Sequence, residues 1–231
     1  MHVYWLSPAP ELTPWPGRWL LSAVEQARAN RWLNPARRRE FLWGRALLRY
    51  VVAQSGLPAE ALQFHESGRP FLEGRGDISL AHTADHVVVG ICQDGWLGVD
   101  VETHAPRDTT LMERFFHAHE RAWMGEDISR LHRLWTLKES ALKALGTGVS
   151  GNPARVWVEP DTGVTMVMDA PAPTAVWSWF EEQPGVTAAL VHLARSVEMR
   201  HAPLTVHRVT PSDLAGWMAS AQGRTQQGML A

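Results

Sequence analysis

The sequence predicts an α+β fold in which two similar halves share one chain, each an antiparallel sheet packed with a long helix. Three observations carry this expectation. A helical pattern followed by strand-like pieces occurs twice along the chain. A polar, proline-containing segment at residues 103–108 separates the two runs. A chain of 231 residues, 45% hydrophobic, can bury the core of one large domain or of two small ones. The halves are expected at residues 1–104 and 105–231, the second ending in a loose tail. Their elements recur in the same order without any repeat of sequence.

The first helix is announced by Asn34-Pro35, an N-cap residue followed by proline at the first helical position. Phe41, Leu42, Leu48 and Val52 recur at helical spacing as far as Gly56, which suits the position just past a helix end. Residues 78–102 read as strands. Val87 to Cys92 is a short apolar run, Gln93-Asp94-Gly95 is a turn, and Trp96 to Glu102 alternates. In the second half, helical pattern fills roughly 109–125 and 129–145. Strand-like pieces follow at 155–168, 174–180 and 186–193, with Gln183-Pro184-Gly185 as the turn between the last two. Thr210-Pro211 starts a short last helix, and the tail loosens from about Gln222.

Bulk properties narrow the function. A net charge of −2 lacks the basic excess of a general nucleic-acid binder. The single cysteine, Cys92, cannot form an intrachain disulfide and sits in an apolar run, as an inert core residue would. No signal peptide or membrane span is visible, so the expectation is a soluble cytoplasmic protein with no nucleic-acid or membrane partner.

The chemistry concentrates in two places. In Trp96-Leu-Gly-Val-Asp100-Val-Glu102, Leu97, Val99 and Val101 share one strand face, and Asp100 and Glu102 share the other. Two carboxylates about 7 Å apart repel by roughly 2 kcal/mol at an effective dielectric near 20. A solvated strand face tolerates that; a cleft calls for a cation. The second place is the helix around Glu139. Only two of the 22 basic side chains are lysines, Lys138 and Lys143, and the other 20 are arginines. Lysine is a compact point charge with an adjustable pKa, whereas arginine is a planar fork that stays charged. A site needing a small cation beside a carboxylate makes that distinction. Glu139 and Lys143 share a helix face, although such a pair stabilises a helix by only about 0.2–0.5 kcal/mol. Lys138 points into the stripe of Leu131, Leu134, Ala141, Leu142 and Leu145, so it must either stretch to water or find a buried partner. Two or three carboxylates, completed by water and a substrate phosphate, suit Mg²⁺. A lysine beside them would hold the phosphate, as phosphoryl-type transfer requires.

Asp100-x-Glu102, followed by Trp135-x-x-Lys138-Glu139-x-x-x-Lys143-x-x-Gly146-x-Gly148, resembles the signature of the 4′-phosphopantetheinyl transferases, and best the Sfp-type branch, a single chain of two similar halves. Gly68-Arg69-Pro70, Ser79-Leu-Ala81-His82-Thr83 and Arg114-Phe-Phe-x-x-x-Glu120 resemble further motifs of that family in the same order. The resemblance implies transfer of the phosphopantetheine arm of coenzyme A to a serine of an apo acyl, peptidyl or aryl carrier protein, with release of adenosine 3′,5′-bisphosphate, by a monomer. It implies that Asp100, Glu102 and Glu139 bind Mg²⁺ and that Lys143 contacts the pyrophosphate. The acceptor of the serine proton would be Glu139, Lys143 or a water. His82, Arg69 and Arg45 would bind coenzyme A. Ala81 and Thr147 depart from the family pattern, which has serine at the first and often lysine at the second. The alternative is a module that binds coenzyme A or a carrier without transfer.

Other candidates are bland. His82 and His86 are four apart in a strand-rich stretch, where that spacing does not converge on a metal. His117 and His119, if helical, point to nearly opposite sides. Arg37-Arg38-Arg39 is either a solvated face or a contact for an anionic partner.

Overall fold

Among the described residues, eleven strands sort into two sheets and two small hairpins because their apolar residues fall on faces that only such a stack can cover. The computed structural model describes residues 1–7, 17–74, 76–106, 113–168, 170, 175–196 and 203–226. The end of the expected boundary at 107–108, the first four residues of the helix expected at 109–125, the first residue of the strand expected at 174–180 and tail residues 227–231 lie outside them.

The strands are β1 (His2–Leu6), β2 (Leu62–Phe64), β3 (Pro70–Leu72), β4 (Asp77–Thr83), β5 (His86–Cys92), β6 (Trp96–Thr103), β7 (Val156–Glu159), β8 (Gly163–Val167), β9 (Ala175–Gln183), β10 (Val186–Ala194) and β11 (Thr205–Val209). The helices are α1 (Ala23–Arg31), α2 (Pro35–Gln54), α3 (Ala118–Met124), α4 (Ile128–Ala144) and α5 (Pro211–Gln226). One sheet has the order β11-β1-β5-β4 and the other β6-β10-β9; β2-β3 and β7-β8 pair by themselves. The fold is α+β, as expected, and each sheet carries a long helix. Tyr4, Leu6, Val87, Val89 and Ile91 of the first sheet bury against Leu47, Leu48, Val51 and Val52 of α2. Ala189, Val191 and Leu193 of the second bury against Leu134, Leu137 and Ala141 of α4. The inner faces meet through Val3, Trp5, Val88, Leu97, Val99, Val101 and Leu190. The layers therefore run helix, sheet, sheet, helix.

Two features depart from the sequence reading. The first sheet is mixed, because β1 and β11 run parallel while its other pairs are antiparallel. The Gln93–Gly95 turn also joins no neighbours. It carries the chain from β5 in the first sheet to β6, which pairs with β10. The free edge of β6 is closed by side chains of β4: Leu97 N–H donates to Asp77 Oδ2 at 2.7 Å and Val99 N–H to Ser79 Oγ at 3.1 Å. Those donors would otherwise be buried without partners.

The end signals behave as read. Asn34 Oδ1 accepts from Ala36 N and Arg37 N, with Pro35 behind it. Thr210 and Asp213 cap α5 reciprocally, and that helix continues to Gln226, longer than expected. Cys92 is buried, and burial pushes its thiol up to about 12, so it is inert. No described helix is long and apolar enough to cross a membrane.

Candidate active site

The carboxylate face of β6 is the face on which α4 lies. Gly98 decides this. A Cβ there would meet the backbone oxygen of Ser140 at 1.9 Å and the backbone nitrogen of Ala144 at 2.5 Å. Glycine lets the helix backbone rest directly on the strand. Asp100 and Glu102, two and four residues on, project from the same face. We expect Gly98→Ala to force α4 away from β6, because both obstructing atoms are backbone. A loss of about 3 kcal/mol or more, read from thermal or urea unfolding, should accompany loss of the site; an unchanged melting temperature would contradict this packing.

Two contacts fix the height of α4 along the strand. Lys143 Nζ lies 2.7 Å from Asp100 Oδ1, and His132 Nε2 lies 3.1 Å from Ala105 N. Lys143 and His132 therefore tie the two ends of α4 to β6 and the segment after it, while the direct backbone contact lies at Gly98, against Ser140 and Ala144. The structure thus brings Asp100, Glu102 and Lys143 together and buries Glu139 on the helix that packs on β6.

Asp100 is 7% exposed, and its Oδ2 has no hydrogen-bond partner among the described residues. Burial raises its carboxyl above the usual range, the Lys143 ammonium pulls it back down, and Glu102 pushes it up again. An orphaned buried carboxylate oxygen beside a second carboxylate fits a hard cation by donor chemistry. The side chains are not drawn into a metal cage, however: among the described residues no three of His, Cys, Asp or Glu are grouped to hold an ion. The ammonium of Lys143 neutralises Asp100 instead.

Lys143 also faces a cavity of about 730 Å³, lined by residues from 28–82 on one side and 143–148 on the other. Arg28, Arg37, Arg45, Arg69, Lys143 and His82 line it, and among the described residues no carboxylate does. Arg69 follows the Gly68 turn and lies over Gly146, where a Cβ would meet its Nη1 at 2.3 Å; Gly146 has φ +78. The residue past the end of α4 is therefore open to Arg69. Arg45 is 4% exposed, paired through Nε with Glu25 Oε1 at 3.2 Å and set 4.0 Å over the Phe64 ring. Burial lowers its pKa to about 10, against the pull of Glu25. It lines the cavity with its charge already matched. Ala81 packs into the core between the sheets, and the Thr147 hydroxyl caps α4 by donating to Leu142 O.

Sequence reasoning missed Glu40. It is 4% exposed, and its Oε2 lies 3.1 Å from His82 Nδ1 and 3.2 Å from Arg37 Nη1. Its position on the buried face of α2 was the available signal, since an acid there must have a partner. Lys138 is the second resolution. It is fully buried and pairs with Glu120 Oε1 at 2.9 Å, while its Nζ also donates to Pro153 O at 3.2 Å. Phe116 packs beside it. The Phe116 and Glu120 positions of the Arg114 motif thus house a lysine of the fold rather than touch the cavity. His117 is the N-cap of α3, not a helical residue, so its ring stacks beside His119 at 6.0 Å instead of pointing away. His86 accepts from Trp5 Nε1.

The family profile of the 4′-phosphopantetheinyl transferase superfamily matches residues 97–192. Among curated proteins, a putative 4′-phosphopantetheinyl transferase of Synechocystis sp. is 34% identical over 63% of this chain and 69% of its own length. The 4′-phosphopantetheinyl transferase gsp of Aneurinibacillus migulanus is 28% identical over 64% of this chain and 65% of its own. The 4′-phosphopantetheinyl transferase HetI of Nostoc sp. is 33% identical over 56% and 61%. The chain spans less than two thirds of the length of the last two.

Proposed function

The chain belongs to the 4′-phosphopantetheinyl transferase superfamily, and from that premise we propose that it transfers the 4′-phosphopantetheine group of coenzyme A to a serine hydroxyl of an apo carrier protein. The observation that carries the reading is the cavity edged by cations and free of described carboxylates, joined through Lys143 to a buried acidic strand face. Coenzyme A is a polyanion of matching size class, and Asp100 with Glu102 beside it would suit a metal ion carrying its pyrophosphate.

In this reading Arg69 and His82 bind phosphates of coenzyme A, with Arg45 supporting the wall behind them. Asp100, Glu102 and Glu139 would hold Mg²⁺. When bound, that ion supplies neutralising charge at the pyrophosphate. Lys143 releases Asp100 and turns its ammonium to the leaving oxygens. The serine oxygen attacks the phosphorus that carries pantetheine, its proton passes to Glu139, Lys143 or a water, and adenosine 3′,5′-bisphosphate leaves. Residues 28–82 and 143–148 of one chain line the cavity together, so a monomer would suffice; the expected halves 1–104 and 105–231 would exchange β6 and β11 between their sheets. No nucleic acid or membrane is needed, and the cytoplasm provides both substrates.

The test is intact-protein mass spectrometry of a panel of apo acyl, peptidyl and aryl carriers after incubation with coenzyme A and Mg²⁺. A gain of one phosphopantetheine supports the proposal. Binding of coenzyme A without any gain would make the chain a binding module. Lys143→Arg should lower kcat by about 100-fold, because a planar fork cannot replace a point charge 2.7 Å from Asp100. Full activity in that variant would leave the use of lysine here without chemical meaning.

A further inference from the structure

His82 stands on β4 with one ring nitrogen engaged and its ring at the cavity wall. The charged groups that bear on it come from three elements. Glu40 and Arg37 approach from α2, Lys143 from α4, and the Arg39–Asp85 pair (2.9 Å) closes the turn beyond β4. Among the described residues, only Glu40 offers a buried negative charge in direct contact with the ring.

We infer that Glu40 is the positioning residue of the anion site: by holding Nδ1 of His82 it turns Nε2 toward the cavity and lets the ring carry a proton there when a phosphate enters. The inference rests on the reading of the cavity as a coenzyme A site and names a residue which that reading does not contain. The chemistry follows from the imidazole. A neutral ring with its proton on Nδ1 presents a lone pair at Nε2, which repels phosphate oxygens. A ring protonated on both nitrogens donates from Nε2. A carboxylate behind a histidine fixes ring orientation and raises its basicity. Here the carboxylate is needed because the surroundings oppose protonation. Burial pulls the ring below its ordinary value, and Lys143 and Arg37 add to that; Glu40 works against all three. An entering phosphate adds a second negative charge on the other side of the ring and completes the protonation.

The experiment compares full-length wild type with Glu40→Gln, Glu40→Asp and His82→Gln. Glutamine keeps an acceptor for Nδ1 and removes only the charge. The His82 ring is followed by NMR across pH 5–8 without ligand, and calorimetry gives the Kd for coenzyme A over the same range. In Glu40→Gln the ring should titrate at lower pH. The rise in coenzyme A affinity on acidification should move down with it, so that Kd at pH 7 weakens by roughly tenfold for every whole pH step the titration midpoint falls. KM for coenzyme A should rise more than kcat falls, and Glu40→Asp should recover part of the loss. His82→Gln should remove the pH dependence of Kd. A ring that titrates at the same pH in wild type and Glu40→Gln overturns the inference, as does a pH dependence of Kd that survives in His82→Gln. Failure of the wild type to bind coenzyme A would instead sink the reading of the cavity, and the ligand-free NMR titration would still decide the role of Glu40.

Discussion

Asp100→Ala is expected to lower transfer to a carrier serine by about 100-fold or more without lowering the melting temperature. The activity loss follows from position. Asp100 is the most buried acid of the strand face, its Oδ1 holds Lys143 and its Oδ2 is unengaged among the described residues. Removal of one preorganised charge from such a site costs on the order of 10²–10³ in rate. The stability expectation comes from linkage. The folded-state pKa of Asp100 is raised above its ordinary value, burial being the largest cause. For an acid shifted upward, the folded state favours the protonated form. Any stability it contributes is present below the unfolded pKa and lost as pH rises through the folded one. At neutral pH the ionised carboxylate is therefore a cost that function imposes on the fold. The Lys143 side chain is 28% exposed and can turn to water when its partner goes. Thermal unfolding at pH 7 should show an unchanged or higher melting temperature, and Asp100→Asn should behave alike. A lower melting temperature in both variants would mean that the Lys143–Asp100 pair holds the structure rather than the chemistry. Near-normal turnover would remove Asp100 from the site.

The local parts of this site were legible in the sequence, and the non-local parts were not. Alternation over Trp96–Glu102 placed Leu97, Val99 and Val101 in the core and both acids on the opposite face. Helical spacing placed Lys138 in an apolar stripe, where it is buried. The sequence left Lys138 to reach water or find a buried partner and set Lys143 beside Glu139; the structure pairs Lys138 with Glu120 and Lys143 with Asp100. Period alone cannot say which sheet a strand joins. Hence β6 crosses to β10, and β11 returns to lie parallel to β1, without a local signal. Pairing of that kind is set by which faces bury which, a property of the whole stack. Glu25 and Glu40 escaped for a related reason. The apolar face of a helix can mark such an acid as buried, but not name its partner, and the partners here are Arg45, Arg49 and His82 from other elements. Gly98 carried the missing information in plain view. A glycine within a buried strand marks a close backbone approach, and here the approaching backbone is that of the helix which bears Glu139 and Lys143.

Glu120→Ala is expected to destabilise the protein by about 3–5 kcal/mol, because it leaves a fully buried ammonium without its counter-charge. For a chain of this size that corresponds to a fall in melting temperature of roughly 6–20 °C. Glu120 does more than pair: its Oε2 accepts His117 N at 2.7 Å and its Oε1 accepts Val158 N at 2.9 Å, so one side chain ties the start of α3 to β7. Lys138→Met should cost less. The thioether stem fills the same apolar path beside Phe116, and Glu120 keeps its two backbone donors. The loss there is the counter-charge of the carboxylate together with the ammonium donor to the buried Pro153 and Val156 carbonyls. Lys138 itself is pulled below its ordinary pKa by burial and held up by Glu120, so neither partner is comfortable alone. The double variant, Glu120→Leu with Lys138→Met, should regain part of the stability lost in Glu120→Ala, since an apolar pair can replace a buried ionic one. It should not regain all of it, because His117 N, Val158 N, Pro153 O and Val156 O stay unsatisfied. Urea unfolding of the four proteins orders them as wild type, Lys138→Met, double variant, Glu120→Ala. The kinetic counterpart separates the two lysines. Folded Lys138→Met should retain most of its transfer activity, whereas Lys143→Arg should not. A Lys138→Met protein that melts like wild type but has lost turnover would move Lys138 from the scaffold into the chemistry and break the division of labour between the chain's only two lysines.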